Sequence, residues 1–258
     1  MIDQPPIFLI NLDQSTERLE KSNARLAKQN ITCERISGVY GKTLSDIDLI
    51  KNYQPLLNRK LFYRPLSKGE VGCYMSHRKA WRTIVERKLP YAIILEDDFQ
   101  ITGNLHEMFA AISKIEVPWQ LLKLSAYQNR TRAIAFSYPV DKTFKLVIHK
   151  KAMTGCCAQA VSYEGAKKLL AATERFARPV DTDLQHVWET KVPVYSLMPY
   201  CFEQDLDFDS DIDAIAAQDS PKKRFFKRKH LQIKEKILNK KATAKIINSL
   251  VEQLNALN

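Results

Sequence analysis

Buried-strand and helix patterns alternate along the first part of the chain. Residues 7–12 read Ile-Phe-Leu-Ile-Asn-Leu, a short apolar run that is typical of a buried strand. The polar segment that follows carries Leu19 and Leu26 at helical spacing, with Ser15 as the predicted N-cap. A second short strand is predicted over 32–37. This strand–helix–strand order predicts an α/β fold in which neighbouring strands run parallel.

The clearest helical pattern in the sequence covers residues 67–89. Ser67 and Glu70 have the spacing of a capping box, in which each residue's side chain binds the other's backbone N–H. One face of the predicted helix carries large apolar residues and a histidine at steps of three and four, namely Tyr74, His77, Trp81 and Ile84. We therefore expect this helix to pack on the sheet through that face.

The remaining elements are shorter. Four further strands are predicted at 121–124, 133–136, 145–148 and 158–162, and a second helix at 164–176. The acid-rich segment 203–213 is interpreted as the end of the folded body, and as a solvated loop in preference to a second cation site. The sequence thus predicts one domain over residues 1–220 and a tail over residues 221–258.

Composition is that of a soluble globular protein, with 45% hydrophobic and 9% aromatic residues. No apolar run approaches the about 18 residues of a membrane span, and the N-terminus lacks the features of a signal peptide. The five cysteines are scattered without a CxxC pair, which favours reduced thiols in a cytosolic protein. Neither a GxGxxG nor a GxxxxGK[ST] loop occurs, which argues against dinucleotide and P-loop sites.

The net charge of +11 resides almost entirely in the tail. Residues 221–258 hold 11 Lys and Arg against two acids, whereas the other 220 residues are nearly balanced. A basic tail on a nearly neutral body indicates where the protein is located in the cell more than which reaction it catalyses. We do not expect nucleic acid as a partner.

The segment Leu-Glu-Asp-Asp at 95–98 places three acids directly after an apolar strand. Ligands of open α/β sheets bind beyond the carboxyl ends of strands, and carboxylates are preferred ligands of Mg²⁺ and Mn²⁺. In an extended segment Glu96 and Asp98 project to the same side, while Asp97 points elsewhere unless the strand has already turned. The alternatives to a metal site are a solvated turn and an N-cap of the next helix.

With these motifs in view, the chain resembles the family 25 glycosyltransferases, which include lipooligosaccharide galactosyltransferases and collagen-modifying relatives. The resemblance covers about residues 7–212 and rests on the order of several motifs. These are FLINLDQSTER, LSKGEVGCYMSHRKAW, ILEDD, AVSYEGAKKLL, PVDTDL and Ser-Asp-Ile at 210–212. Gln159 departs from the pattern, because an aromatic residue is expected before Ala160-Val161-Ser162.

The resemblance implies a single GT-A-type nucleotide-sugar-binding domain with a mixed central sheet, and inversion at the anomeric carbon. It implies Mn²⁺ or Mg²⁺, with Glu96 and Asp98 as metal ligands, and UDP-galactose or UDP-glucose as donor to a lipooligosaccharide acceptor. Positions that match the family's motifs are expected to bind the donor, namely Asn11, Leu12, Arg18, Glu70, Ser76, His77, Glu96 and Asp97.

Inversion requires a general base for the acceptor hydroxyl, and the matching motif suggests Asp181. Asp183 is the second candidate if the local backbone is extended, and an N-cap of the helix that follows is the structural alternative for Asp181. Three of the expected donor-binding residues have structural alternatives. Glu70 could serve only as a capping residue, His77 could be a core histidine, and Arg18 could be an exposed residue of the first helical turn.

The tail combines a basic block around Phe225 and Phe226 with apolar residues near helical spacing, namely Ile237, Ile246, Ile247, Leu250, Val251, Leu254 and Leu257. This pattern predicts a basic amphipathic helix on an anionic membrane surface, hence a peripheral protein on the cytoplasmic face of the bacterial inner membrane. A helix packed on the body, a dimeric coiled coil and an RNA-binding arm are the alternatives.

Two other functions remain compatible with these residues. Clustered acids also occur in metal-dependent phosphohydrolases and nucleotidyltransferases, whose products distinguish them from a glycosyltransferase. The other hypothesis is a non-catalytic protein that binds membrane or nucleic acid through its tail.

Overall fold

The computed structural model describes residues 4–127, 132–205 and 224–257. In the first half of the chain, the elements are β1 (Ile7–Asn11), α1 (Thr16–Ala27), β2 (Glu34–Ser37), a 3₁₀ turn (Gly41–Thr43), α2 (Asp46–Asn52), α3 (Pro55–Leu61), α4 (Lys68–Glu86), β3 (Tyr91–Glu96), β4 (Phe99–Ile101) and α5 (Leu105–Ser113). They continue with β5 (Leu121–Lys123), β6 (Ser125–Ala126), β7 (Ile134–Pro139), β8 (Lys145–His149), β9 (Ala158–Ser162), α6 (Tyr163–Ala172), α7 (Val180–Gln185), α8 (Val187–Thr190), β10 (Val194–Met198), β11 (Phe202–Gln204) and α9 (Phe225–Asn255).

A mixed sheet of eight strands, counted over the described ranges, forms the centre in the order β2-β1-β3-β9-β5-β10-β8-β7. β1 pairs in parallel with both β2 and β3, as the strand–helix–strand pattern predicts. β9 runs antiparallel between β3 and β5, which makes the sheet mixed. Because Ile10 pairs with Glu96, the carboxyl ends of β1 and β3 lie side by side at one edge.

The apolar run of β3 is continuous because both faces of the sheet are covered. Residues Ala92 to Leu95 are all 0% exposed, and successive side chains point to opposite faces. Ile93 and Leu95 pack in a core that includes residues of α1, α5 and α9. Ala92 and Ile94 pack in a second core with residues of α4 and α6. The sheet is therefore the middle layer of three.

Helix α4 forms as its sequence predicts. The capping box is present in both directions, with the Ser67 hydroxyl accepting from the Glu70 N–H and the Glu70 carboxylate accepting from the Ser67 N–H. The four residues of the predicted packing face are each 0% exposed, which confirms Trp81 as a core residue. At Gly72 the helix approaches the loop after β2 so closely that a Cβ there would lie 2.4 Å from the Val39 carbonyl oxygen.

The tail is helical over Phe225–Asn255, and its C-terminal part packs on the body. Leu250 and Leu254 are buried, and the neighbouring isoleucines at 246 and 247 pack against the same core. At the other end of the helix, Phe226 is 87% exposed. Packing on the body, one of the alternatives for the tail, therefore holds for its last turns. Among the helices that the structure describes, none is long and apolar enough to cross a bilayer.

The start of the acid-rich segment belongs to the fold. Glu203 lies in β11, which pairs with β4 and β6 in a small second sheet. Asp205 is buried and forms an ion pair with Arg25, so the solvated-loop interpretation is wrong for these residues. The Ser-Asp-Ile motif at 210–212 and the predicted boundary at 220 lie outside the described residues.

Candidate active site

A cavity of about 690 Å³ opens at the carboxyl ends of β1 and β3. Its walls come from both halves of the chain and include most of the residues that the family motifs identify. These are Asn11, Leu12, Arg18, Glu70, Ser76, Glu96, Asp97, Asp98 and Asp181. The placement follows from the parallel pairing of β1 with β3, because parallel strands deliver their carboxyl ends to the same edge.

The two carboxylate oxygens of Asp98 differ in their hydrogen bonding among the described residues. Its Oδ2 accepts a hydrogen bond of 2.7 Å from Gln204 Nε2, while its buried Oδ1 has no hydrogen-bond partner within the described residues. Burial, followed by the negative charge of Glu96, raises the pKa of Asp98 to about 7. A buried carboxylate oxygen beside a second carboxylate is the environment that a divalent cation stabilises. The residues present therefore suit an oxygen-liganded metal at Glu96 and Asp98.

Glu96 lies in a small hydrogen-bonded cluster with His77 and Cys73. His77 Nε2 lies 2.9 Å from Glu96 Oε1, and the Cys73 thiol donates to the same oxygen at 3.7 Å. Burial by itself raises the pKa of Glu96, but the hydrogen bond and charge of His77 outweigh it and lower that pKa. Glu96 is thus held ionised at the cavity wall.

Cys73, His77 and Glu96 also lie close enough together to hold a metal, with ligand atoms within 4.8 Å of one another. Burial raises the pKa of the Cys73 thiol well above its usual value, however, so the sulfur is a protonated donor and a poor metal ligand. His77 is 0% exposed and does not line the cavity. We interpret His77 and Cys73 as residues that orient Glu96, which agrees with the core-histidine alternative.

Asp97 is held by the protein itself. The chain has turned at Asp97, whose Oδ2 accepts from Asn11 Nδ2 at 2.7 Å and whose Oδ1 lies 2.5 Å from Arg18. Arg18 is therefore neither an exposed first-turn residue nor simply a phosphate ligand. The Asn11 amide also binds the Ser15 carbonyl and the Arg35 side chain. In this arrangement Asn11 positions Asp97.

The two candidate bases are separated by the helical backbone of α7. Asp181 is half-buried and lines the cavity. Asp183, two residues further along a helix, points in another direction and is buried against Arg178 at 2.7 Å and the Tyr74 hydroxyl at 2.9 Å. The extended backbone that would have brought Asp183 to the site is absent here, so Asp183 anchors α7. Asp181 lies in the first turn, whereas the N-cap is Pro179.

The other motif residues shape the walls. Glu70 completes the capping box and also forms a bidentate pair with Arg64, at 2.6 and 2.7 Å. The Ser76 hydroxyl accepts from the Val39 N–H at 2.8 Å, which fixes the loop after β2. Leu12 lines the cavity at the end of β1.

Several residues in the cavity wall or next to it make contacts that the sequence did not predict. Lys123 is 0% exposed on β5, and its ammonium donates to the Gly155 carbonyl at 2.6 Å and to Gln159 Oε1 at 3.1 Å. Gln159 in turn lies 3.5 Å from His77 Nδ1, so the position that departs from the family pattern bridges a buried cation and the histidine. Thr154 lines the cavity with a buried hydroxyl that has no partner within the described ranges.

The sequence profile described as "Glycosyltransferase family 25 (LPS biosynthesis protein)" matches residues 4–184, which is more than half of the chain. The chain belongs to glycosyltransferase family 25. The matched region contains β1, α4, the acids after β3 and Asp181, so it covers most of the cavity described above.

Several relatives in the family come from animals. The chain is 26% identical over 213 residues to procollagen galactosyltransferase 2 of Mus musculus, covering 78% of this chain and 33% of that protein. It is 27% identical over 208 residues to procollagen galactosyltransferase 1 of Danio rerio, covering 78% and 34%. The probable inactive glycosyltransferase 25 family member 3 of Bos taurus is 26% identical over 218 residues, covering 75% and 35%. The chain spans about a third of the length of the curated relatives it matches.

Among solved structures, similarity is found to a glycosyltransferase involved in the glycosylation of the major capsid of PBCV-1. The TM-score is 0.41 at 10% identity, covering 84% of this chain and all of that one.

Proposed function

We propose that this family 25 protein is a metal-dependent, inverting glycosyltransferase with a GT-A fold. The observation that supports it most is the cavity itself. One wall holds Asp98, with a buried and unpartnered carboxylate oxygen among the described residues, next to Glu96. Another wall of the same cavity holds Asp181. A metal-assisted leaving group and a proton acceptor are the two elements that an inverting transfer needs.

Glu96 and Asp98 would hold Mn²⁺ or Mg²⁺. The ion would supply positive charge to the diphosphate of a departing nucleotide. The protein's part is to keep both acids in place. His77 and Cys73 hold Glu96, and Gln204 holds Asp98 through one oxygen, while its other oxygen has no hydrogen-bond partner among the described residues.

Asp181 would accept the proton of the acceptor hydroxyl as the new glycosidic bond forms. It is half-buried, so it keeps contact with solvent through the cavity mouth and can lose the proton after the transfer. Asp183 contributes indirectly, because its bonds to Arg178 and Tyr74 fix the helix that carries Asp181.

The donor is proposed to be UDP-galactose, or else UDP-glucose, and the acceptor a lipooligosaccharide. The family description names LPS biosynthesis, and the relatives from mouse and zebrafish are named galactosyltransferases. Family members also include a protein described as probably inactive, and the UDP-release experiment below distinguishes an active enzyme from such a member.

We also propose that the protein sits on the cytoplasmic face of the bacterial inner membrane through α9. Phe226, Ile233 and Ile237 are exposed by 87%, 65% and 55%. Spacings of seven and four residues place them on one side of a helix with about 3.6 residues per turn. The exposed lysines at 229, 234, 236, 240 and 241 flank this stripe. Apolar residues flanked by lysines are suited to an anionic lipid surface.

The first experiment measures UDP release from UDP-galactose and UDP-glucose, with and without Mn²⁺, in the absence of acceptor. We expect slow, Mn²⁺-dependent release from one of the two donors. Asp98→Asn should abolish it by removing a metal ligand, whereas Glu116→Gln, a change of an exposed acid in the loop after α5, should leave it unchanged.

Other outcomes would contradict the proposal. Free phosphate in place of UDP would favour a phosphohydrolase, and a nucleotidyl adduct would favour a nucleotidyltransferase. Failure of the wild-type protein to bind UDP with Mn²⁺ would show that the acids after β3 form a structural turn.

A further inference from the structure

The first turn of α9 forms part of the cavity wall, although it lies outside the segment that the family profile matches. The Arg224 N–H donates to the Tyr63 carbonyl oxygen at 3.0 Å. One turn later, the Arg228 guanidinium lies over the Tyr63 ring, 5.2 Å from its centroid. Arg228 is one of the residues that line the cavity. The tail thus places a cation in a site whose other residues come from the body.

A second arginine lies against the same ring. The Arg64 guanidinium is 5.9 Å from the Tyr63 centroid and also lines the cavity. Its charge is balanced by the bidentate pair with Glu70. For Arg228, the described part of the chain offers no carboxylate ion pair. One of the two cations is therefore neutralised by the protein, and the other faces the cavity.

The helix terminus adds to this positive field. The N-terminus of a helix carries a partial positive charge, which normally favours acids in the first turn. The first turn of α9 has no acid, and its N-cap makes no side-chain hydrogen bond. Instead, residues 224–229 read Arg-Phe-Phe-Lys-Arg-Lys. Basic side chains at this end of a helix are electrostatically unfavourable unless an anion lies nearby.

We propose that Arg228 binds a phosphate group of a substrate in this cavity, with the Tyr63 ring holding its guanidinium in place. A planar guanidinium fixed on an aromatic ring presents paired N–H donors with the geometry of a phosphate. The phosphate could belong to the nucleotide donor or to a phosphorylated acceptor glycan. The inference rests on the proposed function for the identity of the substrate, but not for the presence of the anion site.

The opposite side of the same turn carries Phe226, which is exposed. Residues two positions apart lie on nearly opposite sides of a helix. The first turn of α9 would thus connect the substrate cavity on one side with the lipid surface on the other, which suits an acceptor that arrives from the membrane.

The test is calorimetric titration of Arg228→Gln with three probes in the presence of Mn²⁺, namely UDP, uridine and inorganic phosphate at saturating UDP. Lys234→Gln is the matched control, because Lys234 is an exposed cation of the same helix that does not line the cavity. Both variants lose one positive charge, so a difference between them is local.

For a donor phosphate, Arg228→Gln should weaken UDP binding by about tenfold and leave uridine binding unchanged. For an acceptor phosphate, UDP binding should persist while the binding of inorganic phosphate at saturating UDP falls by a similar factor. Either result supports the proposal and identifies the source of the phosphate.

Equal affinities of Arg228→Gln and Lys234→Gln for all three probes would overturn the inference, whatever the wild-type protein does with UDP-sugars. Conversely, if the wild-type protein bound no UDP but bound inorganic phosphate through Arg228, the anion site would stand. The proposed glycosyltransferase function would then fail on its own.

Discussion

Three adjacent acids differ in role because their surroundings differ. Asp97 is bonded on one oxygen to Asn11 and on the other to Arg18, so it joins the ends of β1 and β3 to α1. Asp98 keeps a buried oxygen with no partner among the described residues. Glu96 is oriented by His77. An acidic triplet in a sequence therefore does not reveal which member is structural and which is available to a ligand.

This difference predicts opposite effects of the same substitution at neighbouring positions. Asp97→Asn should lower the free energy of unfolding of the metal-free protein by about 2 kcal/mol, because it weakens a largely buried ion pair. Asp98→Asn should leave it unchanged or raise it, because it removes a buried negative charge that lies near Glu96. Urea denaturation of both variants at pH 7.5 measures the two values.

The same proteins provide the control for metal binding. Mn²⁺ should raise the melting temperature of the wild type and of Asp97→Asn, but not that of Asp98→Asn. A Mn²⁺-induced shift that persists in Asp98→Asn would remove Asp98 from the metal site.

A single histidine far from the acids should make stability depend on pH. His149 is buried at the end of β8, with Nδ1 3.1 Å from the Arg132 carbonyl oxygen, and burial lowers its pKa below 6.5. A histidine with a lowered folded pKa contributes stability that is present above pH 6.5 and is lost as the pH falls towards the folded pKa. The loss has a limiting slope of about 1.4 kcal/mol per pH unit.

Comparison with His149→Gln isolates this contribution. Between pH 7.5 and pH 5.5 the wild type should lose more unfolding free energy than the variant, as measured by urea denaturation. If both proteins lost the same amount, His149 would not be the group responsible.

At the scale of elements, the close approach of α4 to the loop after β2 is essential to the cavity. Alanine normally stabilises an exposed helix position relative to glycine by about 1 kcal/mol. At Gly72 the added Cβ would lie 2.4 Å from the Val39 carbonyl oxygen. We therefore expect Gly72→Ala to lower the unfolding free energy by about 2 kcal/mol and to weaken UDP binding, because Val39, Tyr40 and Gly41 line the cavity.

Arg82→Ala, at an exposed position of the same helix, is the control and should change neither quantity by much. A stabilising effect of Gly72→Ala in urea denaturation would mean that the loop moves freely and that the helix contact does not fix it.

Elements whose patterns reflect local chemistry were predictable from the sequence. The capping box at Ser67 and the four-residue apolar face determine the start and the orientation of α4 without reference to other parts of the chain. The run before Glu96 identifies β3 because burial on both faces leaves no polar position. By contrast, the predicted helix from residue 164 ends at Ala172, four residues early, because nothing local marks that end.

The site was predictable only where the family motifs extend. Asn11, Asp98 and Asp181 converge because β1, β3 and α7 meet at one edge of the sheet. That Asp181 lines the cavity and Asp183 does not depends on α7 being helical at this point. The interactions of Lys123 and Gln159 connect distant parts of the chain and have no periodic or compositional signal.

For the whole molecule, the main question is whether α9 is an appendage or part of the domain. Leu250 is 0% exposed and Leu254 8%, and both pack with residues of the central sheet. Leu250→Ala should therefore lower the unfolding free energy by about 2 to 4 kcal/mol. The 258-residue chain should unfold in one cooperative transition in calorimetry, with the transition of Leu250→Ala shifted as a whole. Two separate transitions would instead support a tail that is independent of residues 1–220.

The N-terminal half of α9 is expected to behave differently from its buried C-terminal turns. Phe226, Ile233 and Ile237 form an exposed stripe, so replacing all three by Ser should leave the unfolding free energy nearly unchanged. The same triple variant should bind anionic vesicles at least about tenfold more weakly, because loss of even one apolar side chain from the lipid costs roughly 1.5 kcal/mol, which is about a factor of ten in affinity.

Sedimentation with phosphatidylglycerol and phosphatidylcholine vesicles measures the effect. Wild-type protein should bind the anionic vesicles preferentially, and added salt should weaken that binding, because the lysines contribute electrostatically. Leu56→Ser provides the control, since Leu56 is 72% exposed on α3 and does not belong to the stripe. If the triple variant and the control bound equally well, the attraction would be due to charge alone. The apolar stripe would then face solvent or another protein, and the route from the membrane to Arg228 would lose its support.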